Sequence, residues 1–318
     1  MRQNADTRSP KAEARQASGV RYPESGDGYP QHWSRHRFLC FAGIAVLALG
    51  GVTQAAEAQG EVRLIVRADD MGVGQSGNEA CIHSYRNGIV RSTEVIVPGA
   101  WFLDAVRLLN ENPGLDVGVH LVLTSEWERC KWRPLTSAPS LADENGNFRP
   151  MNSQRKDFPP DTGFLEANPK LDEVERELRA QIELAKRHLP RISHLSAHMG
   201  TPVCTPQLRE LTTRLAREYQ LRLEATGVKG APGFGGSDKT AEQKERDLVA
   251  VLEKLGPGQW LIVEHPAFDT PEMRGIGHKG YENVAADRDG VTKAFTSERV
   301  KAVIKQRGIR LISYAELN

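Results

Sequence analysis

From Glu61 onward the chain alternates short apolar runs with amphipathic stretches, and this rhythm restricts the fold more than any other feature. Val62–Arg67 is rich in β-branched and aliphatic residues and reads as a strand. Asn78–Asn87 then reads as a helix closed by Gly88, and Arg91–Val97 as a strand stopped by Pro98-Gly99. The pattern continues with a helix over Phe102–Asn110, a strand over Val117–Leu123 and a helix over Asp172–His188. In the last of these, Leu171, Val174, Leu178, Ile182 and Leu189 fall at helical spacing. A strand over Ile192–His198 and helices over Pro206–Tyr219 and Glu242–Leu255 follow. Then come a strand over Trp260–Val263, a helix over Ser297–Arg307 and a final strand over Ile309–Ser313. Strands separated by helices pair in parallel. The reading is therefore an α/β fold whose sheet closes as a (β/α) barrel, with an open doubly wound sheet as the alternative. No G-x-G-x-x-G follows the first strand, so nothing supports a dinucleotide site. Residues 125–165 and 228–239 read as loops, and a loop as long as the first is usually functional.

The segment before Glu61 is different in kind. Residues 1–31 are polar and rich in Pro, Gly, Ser and charge. Arg35, His36 and Arg37 precede an apolar run from Phe38 to Val52, which is too short to span a bilayer comfortably. Ala56-Glu57-Ala58 then fits a small-residue cleavage site. The expectation is a polar lead plus secretory signal peptide over 1–58, with Val20 as an alternative start, and a single catalytic (β/α) barrel domain over 59–318. The product would be exported, periplasmic or secreted, with no stable membrane association after cleavage. Formal net charge is +1 and no long Lys or Arg run occurs, which argues against a nucleic-acid partner. Cys40 would leave with the signal. Cys81, Cys130 and Cys204 form no C-x-x-C pair, so a structural zinc knuckle is not expected. Free thiols are the plain reading, with a Cys130–Cys204 disulfide left open.

Polar residues collect where the strands end, the edge at which parallel α/β folds build their sites. The first strand runs into Arg67-Ala68-Asp69-Asp70-Met71-Gly72, where one carboxylate can ligate a metal and the other handle protons. Asp in a turn that caps the next helix is the alternative. His120 sits among aliphatics in Gly118-Val119-His120-Leu121, a setting that also suits a core histidine. In Ile192-Ser193-His194-Leu195-Ser196-Ala197-His198, an extended chain puts His194, Ser196 and His198 on one face. His265 precedes Pro266, which holds it extended at a strand end, or places it in a surface turn. Each signal is weak alone. Together, at four strand ends, they supply the N/O donor set of a hydrolytic divalent metal.

These motifs in this order resemble the YdjC/ChbG-like carbohydrate deacetylases, relatives of the polysaccharide deacetylases. The resemblance rests on Ala68-Asp69-Asp70-Met71-Gly72, Gly88-Ile89-Val90-Arg91-Ser92-Thr93, Gly118–Thr124, Ser196-Ala197-His198, His265-Pro266 and the closing Gly308–Tyr314. It implies a distorted (β/α) barrel. It also implies a divalent metal, zinc or magnesium, on Asp70, His120 and His198, with Asp69 as general base and His265 as general acid. The implied reaction hydrolyses the acetamide of an N-acetylated mono- or oligosaccharide to amino sugar and acetate. Trp127 and Trp132, with Phe148, are the aromatic residues of the long loop, placed either to stack on sugar faces or to pack the loop. A homodimer is compatible with the sequence. Three departures stand out: Ser196 replaces a frequent Asp, Gly200 a frequent His, and Pro98 a polar residue. Loss of that Asp removes a carboxylate partner for a metal ligand. A non-catalytic exported glycan-binding protein and a metal hydrolase of another ester or amide are the competing readings.

Overall fold

A computed structural model describes residues 60–317, apart from 224–226. The expected polar lead and signal peptide over 1–58 lie outside the described residues.

Eight strands form one sheet in which every ladder is parallel. They are β1 (Val62–Met71), β2 (Ser92–Val95), β3 (Asp116–Leu121), β4 (His194–Ala197), β5 (Arg222–Leu223), β6 (Lys229–Gly230), β7 (Gly258–Glu264) and β8 (Arg310–Ile312). The order is β5-β4-β3-β2-β1-β7-β6. Along one edge β1 pairs with β7 from Val62 to Ala68. Along the other it pairs first with β8, at Arg63–Ile65, and then with β2, from Arg67. Its Leu64, Ile65 and Val66 are wholly buried, as a strand covered on both faces requires. The sheet is the α/β, distorted barrel to which the sequence pointed, but no ladder joins β5 to β6 among the described residues. Both of those strands have only two residues, too few for an apolar run to betray them.

The covering helices are α1 (Gln75–Arg86), α2 (Phe102–Asn110), α3 (Leu171–His188), α4 (Pro206–Glu218), α5 (Ala241–Lys254), α6 (Val284–Thr296) and α7 (Glu298–Gln306). Local chemistry starts several of them. Thr205 caps α4 by accepting from Leu208 N, with Pro206 at the first helical position. Thr240 and Gln243 form a capping box on α5. A distant carboxylate, Glu272, accepts from Gln75 N and Ser76 N at the start of α1. Helix α6 escapes the sequence pattern because buried Arg288 and Thr292 interrupt its apolar face of Val284, Ala285, Val291, Ala294 and Phe295. No helix among the described residues is long and apolar enough to cross a membrane.

Helix α3 corrects one sequence expectation. Leu171 is 47% exposed and does not belong to the apolar stripe. Three polar residues of α3 are buried instead, and each satisfies backbone. Glu177 accepts from Leu135 N and Thr136 N, and Glu173 from Ser140 N. Gln181 engages both backbone groups of Val122 at the end of β3. These bonds, with buried Trp132, Leu141, Phe148 and Phe164, pin the long loop that follows β3. Cys81, Cys130 and Cys204 are free thiols, so the disulfide left open by the sequence is not formed.

The end of β1 is irregular. Its register with β2 shifts between Ala68 and Met71, and Asp70 adopts φ 73°. Gly72 follows at φ 98°, where a β-carbon would lie 2.5 Å from the Ile96 carbonyl oxygen. Gly72→Ala is therefore strained in both dihedral and space. It is expected to lower unfolding free energy by at least about 1 kcal/mol, measured by urea denaturation. An unchanged midpoint would contradict the tight turn described here.

Candidate active site

A regular strand sends consecutive side chains to opposite faces, so Asp69 and Asp70 should diverge. The bulge and the left-handed turn at Asp70 cancel that alternation. Asp69 Oδ2 and Asp70 Oδ1 each lie 3.7 Å from His120 Nε2. Each carboxylate has its own arginine. Arg67, two residues back on the same strand, grips Asp69 with Nε to Oδ1 at 2.7 Å and Nη2 to Oδ2 at 2.9 Å. Arg288 of α6 donates to Asp70 Oδ2 at 2.9 Å. Burial disfavours a charged Asp70, yet His265, Arg288 and His198 hold its carboxyl well below the usual range.

His120 lies near the end of β3, buried, with Nδ1 2.6 Å from Ser196 Oγ. Burial keeps it neutral, lowering its pKa to about 4. His198 follows the last residue of β4, where the strand gives way to a turn with Met199 at φ 51° and Gly200 at φ 71°. The sequence expectation of a strand through His198 is thus corrected by one residue. His194 and Ser196 do share a face, and both reach Glu94. His198 turns away from them to place Nδ1 3.6 Å from Asp70 Oδ1 and Nε2 2.8 Å from Glu126 Oε2. Burial alone would lower its pKa, but the Glu126 and Asp70 carboxylates outweigh that and raise it to about 10. The two rings meet edge to face, with centroids 5.1 Å apart.

His265 follows β7 and sets Nε2 3.9 Å from Asp70 Oδ2, with its side chain 34% exposed. It is the solvent-facing member of the group. Trp127 and Trp132 are 2% and 3% exposed. Trp127 stacks on His278 and lies under the Arg288 guanidinium, while Trp132 meets the edge of His198 and donates to Thr124 O. Both indoles are buried against side chains from outside the loop. Beside them a cleft of about 590 Å³ opens, lined by Glu126, Lys131, Arg149, Phe158 and Thr162 among others.

The sequence reading missed Arg67 as an active partner, and Glu94, Glu126 and Arg288 altogether. A charged residue inside the apolar run Ser92-Thr93-Glu94-Val95-Ile96-Val97 was the available signal for Glu94. Nothing comparable marks Glu126, in a loop, or Arg288, in an unread helix.

Asp70, His120 and His198 each offer one donor atom, and these atoms lie within 4.8 Å of one another. Asp70 Oδ1, which faces both rings, is buried and has no hydrogen-bond partner. An orphaned carboxylate oxygen between two imidazole nitrogens suits a divalent cation, which would satisfy all three at once.

Residues 63–306 match the family model described as YdjC-like protein. The chain is 35% identical over 236 residues to a carbohydrate deacetylase of Thermus thermophilus, covering 67% of this chain and 80% of that relative. It is 29% identical over 266 residues to a carbohydrate deacetylase of Geobacillus stearothermophilus, covering 79% and 96%. A crystal structure from Enterococcus faecalis, provisionally described as a cellobiose-phosphate cleavage protein, superposes with TM-score 0.65 at 26% identity, over 81% of this chain and 99% of that one. The chain belongs to the YdjC-like protein family.

Proposed function

We propose that the protein is a metal-dependent deacetylase that hydrolyses the acetamide of N-acetylated sugars. The observation that carries this reading is the orphaned Asp70 Oδ1 facing two imidazole nitrogens, with a second carboxylate 3.7 Å from the same ring. The names of the relatives, carbohydrate deacetylases, support the substrate class. Two imidazoles and one carboxylate favour zinc over magnesium, which prefers oxygen donors. A divalent ion held by Asp70, His120 and His198 would polarise the acetamide carbonyl and acidify water.

The remaining work falls to the chain's own groups. Asp69, oriented by both arms of Arg67, is the base that takes the proton of the attacking water. His265, on the open side, donates a proton to the amine that would otherwise leave too poorly. Attack forms the C–O bond of acetate, the C–N bond breaks, and the amino sugar departs. The cleft beside Glu126 accommodates the sugar, with the Phe158 ring along its wall.

Two outcomes are expected. Asp70→Ala and His120→Ala should lose zinc binding and acetate release from N-acetylated oligosaccharides together. Asp69→Asn should keep zinc and lower kcat by roughly 10²–10⁴-fold. Zinc titration beside an acetate assay reads both, and glycan binding without acetate release by the zinc-loaded wild type would reject the reading. The second outcome concerns pH. His198, with a pKa raised to about 10, carries a proton at neutral pH, and a ligand must be neutral. Zinc therefore displaces that proton. Apparent affinity should rise by about tenfold per pH unit for this one proton, levelling off as pH passes about 10. Calorimetry at pH 7.5 in buffers of different ionisation enthalpy should show more proton release by wild type than by Glu126→Gln, which loses one of the two carboxylates that raise the His198 pKa. Equal release would contradict the assignment.

A further inference from the structure

Three neighbouring strands put Glu94, Gly118 and His194 side by side, since Glu94 pairs with Gly118 and Gly118 with His194. One step along, His120 pairs with Ser196. Gly118 lacks a side chain, and a β-carbon there would collide with both His194 Nε2 and Glu94 Oε2. The gap lets the Glu94 carboxylate reach across β3 to β4. Glu94 Oε1 then lies 2.5 Å from His194 Nε2, and Ser196 Oγ donates to Glu94 Oε2 at 2.6 Å. Glu94 and His194 are wholly buried, and Ser196 is 7% exposed.

The proton count along this chain has one solution. A carboxylate flanked by the Arg67 guanidinium, with Nε 3.6 Å away, is an acceptor only. Ser196 has a single hydroxyl proton, and Glu94 takes it. What Ser196 can offer His120 Nδ1, 2.6 Å away, is a lone pair. His120 must then carry its proton on Nδ1, which leaves the Nε2 lone pair facing Asp69 and Asp70. The far end of the chain is fixed too. His194 stacks on Tyr314 with centroids 3.9 Å apart, its Nδ1 is 2.7 Å from Ser193 Oγ, and Ser193 donates to Asp116 Oδ1 at 2.6 Å. Asp116 in turn accepts from Ser92 Oγ and Tyr314 N.

We propose that Glu94 is a positioning residue which, through the Ser196 hydroxyl, locks His120 in the Nδ1–H tautomer and so aims Nε2 at the Asp70 side of the site. The tautomer stands on geometry alone. Its consequence for a bound ion rests on the deacetylase reading. A carboxylate two strands away thereby does through a hydroxyl what a carboxylate at position 196 would do directly.

The test uses the full chain. Ring nitrogen NMR on metal-free protein should show His120 protonated at Nδ1 and bare at Nε2. Glu94→Gln and Ser196→Ala should each mix the tautomers and weaken zinc binding by roughly 10–100-fold. The double variant should be no weaker than Ser196→Ala, and Glu94→Gln combined with Ser196→Asp should regain most of the affinity. A wild-type His120 protonated at Nε2, or variants with unchanged tautomer and zinc affinity, would overturn the proposal. If Glu94→Gln fails to fold, Ser196→Ala decides the matter by the same readouts. A wild type with the Nδ1–H tautomer but no zinc affinity supports the relay and rejects the deacetylase reading.

Discussion

The candidate site depends on how β1 ends. Asp69 and Asp70 are consecutive, and an unbroken strand would bury one and direct the other to the opposite face. The register shift against β2 and the left-handed backbone at Asp70 bring both to His120 Nε2. A non-glycine residue in that region costs of order 1–3 kcal/mol and persists only when its surroundings hold it. Here they do. Gly72 N donates to Asn78 Oδ1, and Asn78 donates on to Trp101 O, so α1 and the turn before α2 clamp the bend. A similar device ends β4, where Met199 and Gly200 turn left-handed directly after His198. Both chain reversals occur where a proposed ligand must leave the direction of its strand.

Charge balance is the second constraint. Asp69, Asp70, Glu94 and Glu126 are all buried, and stranding one buried charge without its partner costs about 3–5 kcal/mol. Asp69 has Arg67 and Asp70 has Arg288. Glu94 has His194 and Arg67, which overcome burial and hold it at about 2, and Glu126 has His198, which likewise keeps it below its ordinary value. Among the described residues the buried carboxylate oxygen left without a hydrogen bond is Asp70 Oδ1, at the point where the two imidazoles converge. A site that pairs these buried carboxylates but leaves one oxygen without a hydrogen bond beside two imidazoles is the observation on which the proposed cation rests.

Much of this was legible in the sequence, for a specific reason. Asp69, Asp70, His120, His198 and His265 all lie at or just beyond the ends of strands whose apolar runs are easy to read. Parallel topology then gathers strand ends on one edge. What escaped was supplied by residues with no such marker. Arg288 rides a helix whose apolar face is broken by polar residues that turn out to be buried. Glu126 sits in the long loop, where nothing in the sequence distinguishes it from Glu128. Glu94 looked like an ordinary strand residue, because its meaning arises only across three strands and through a glycine. The bulge at Asp70 was equally invisible, since Ala68-Asp69-Asp70 carries no bulge signature. For Trp127 and Trp132 the sequence leaves sugar stacking and loop packing both open. Aromatic residues in a polar loop suggest a sugar platform, yet both indoles are covered by Arg288, His278 and His198.

The central claim is that one divalent ion is held jointly by three side chains. Anomalous diffraction at the zinc edge from zinc-loaded crystals tests it most directly. The expected result is a single strong peak bonded to Asp70 Oδ1, His120 Nε2 and His198 Nδ1, with His198 Nε2 still on Glu126. A peak elsewhere, or one that engages fewer than three of these side chains, would contradict the account.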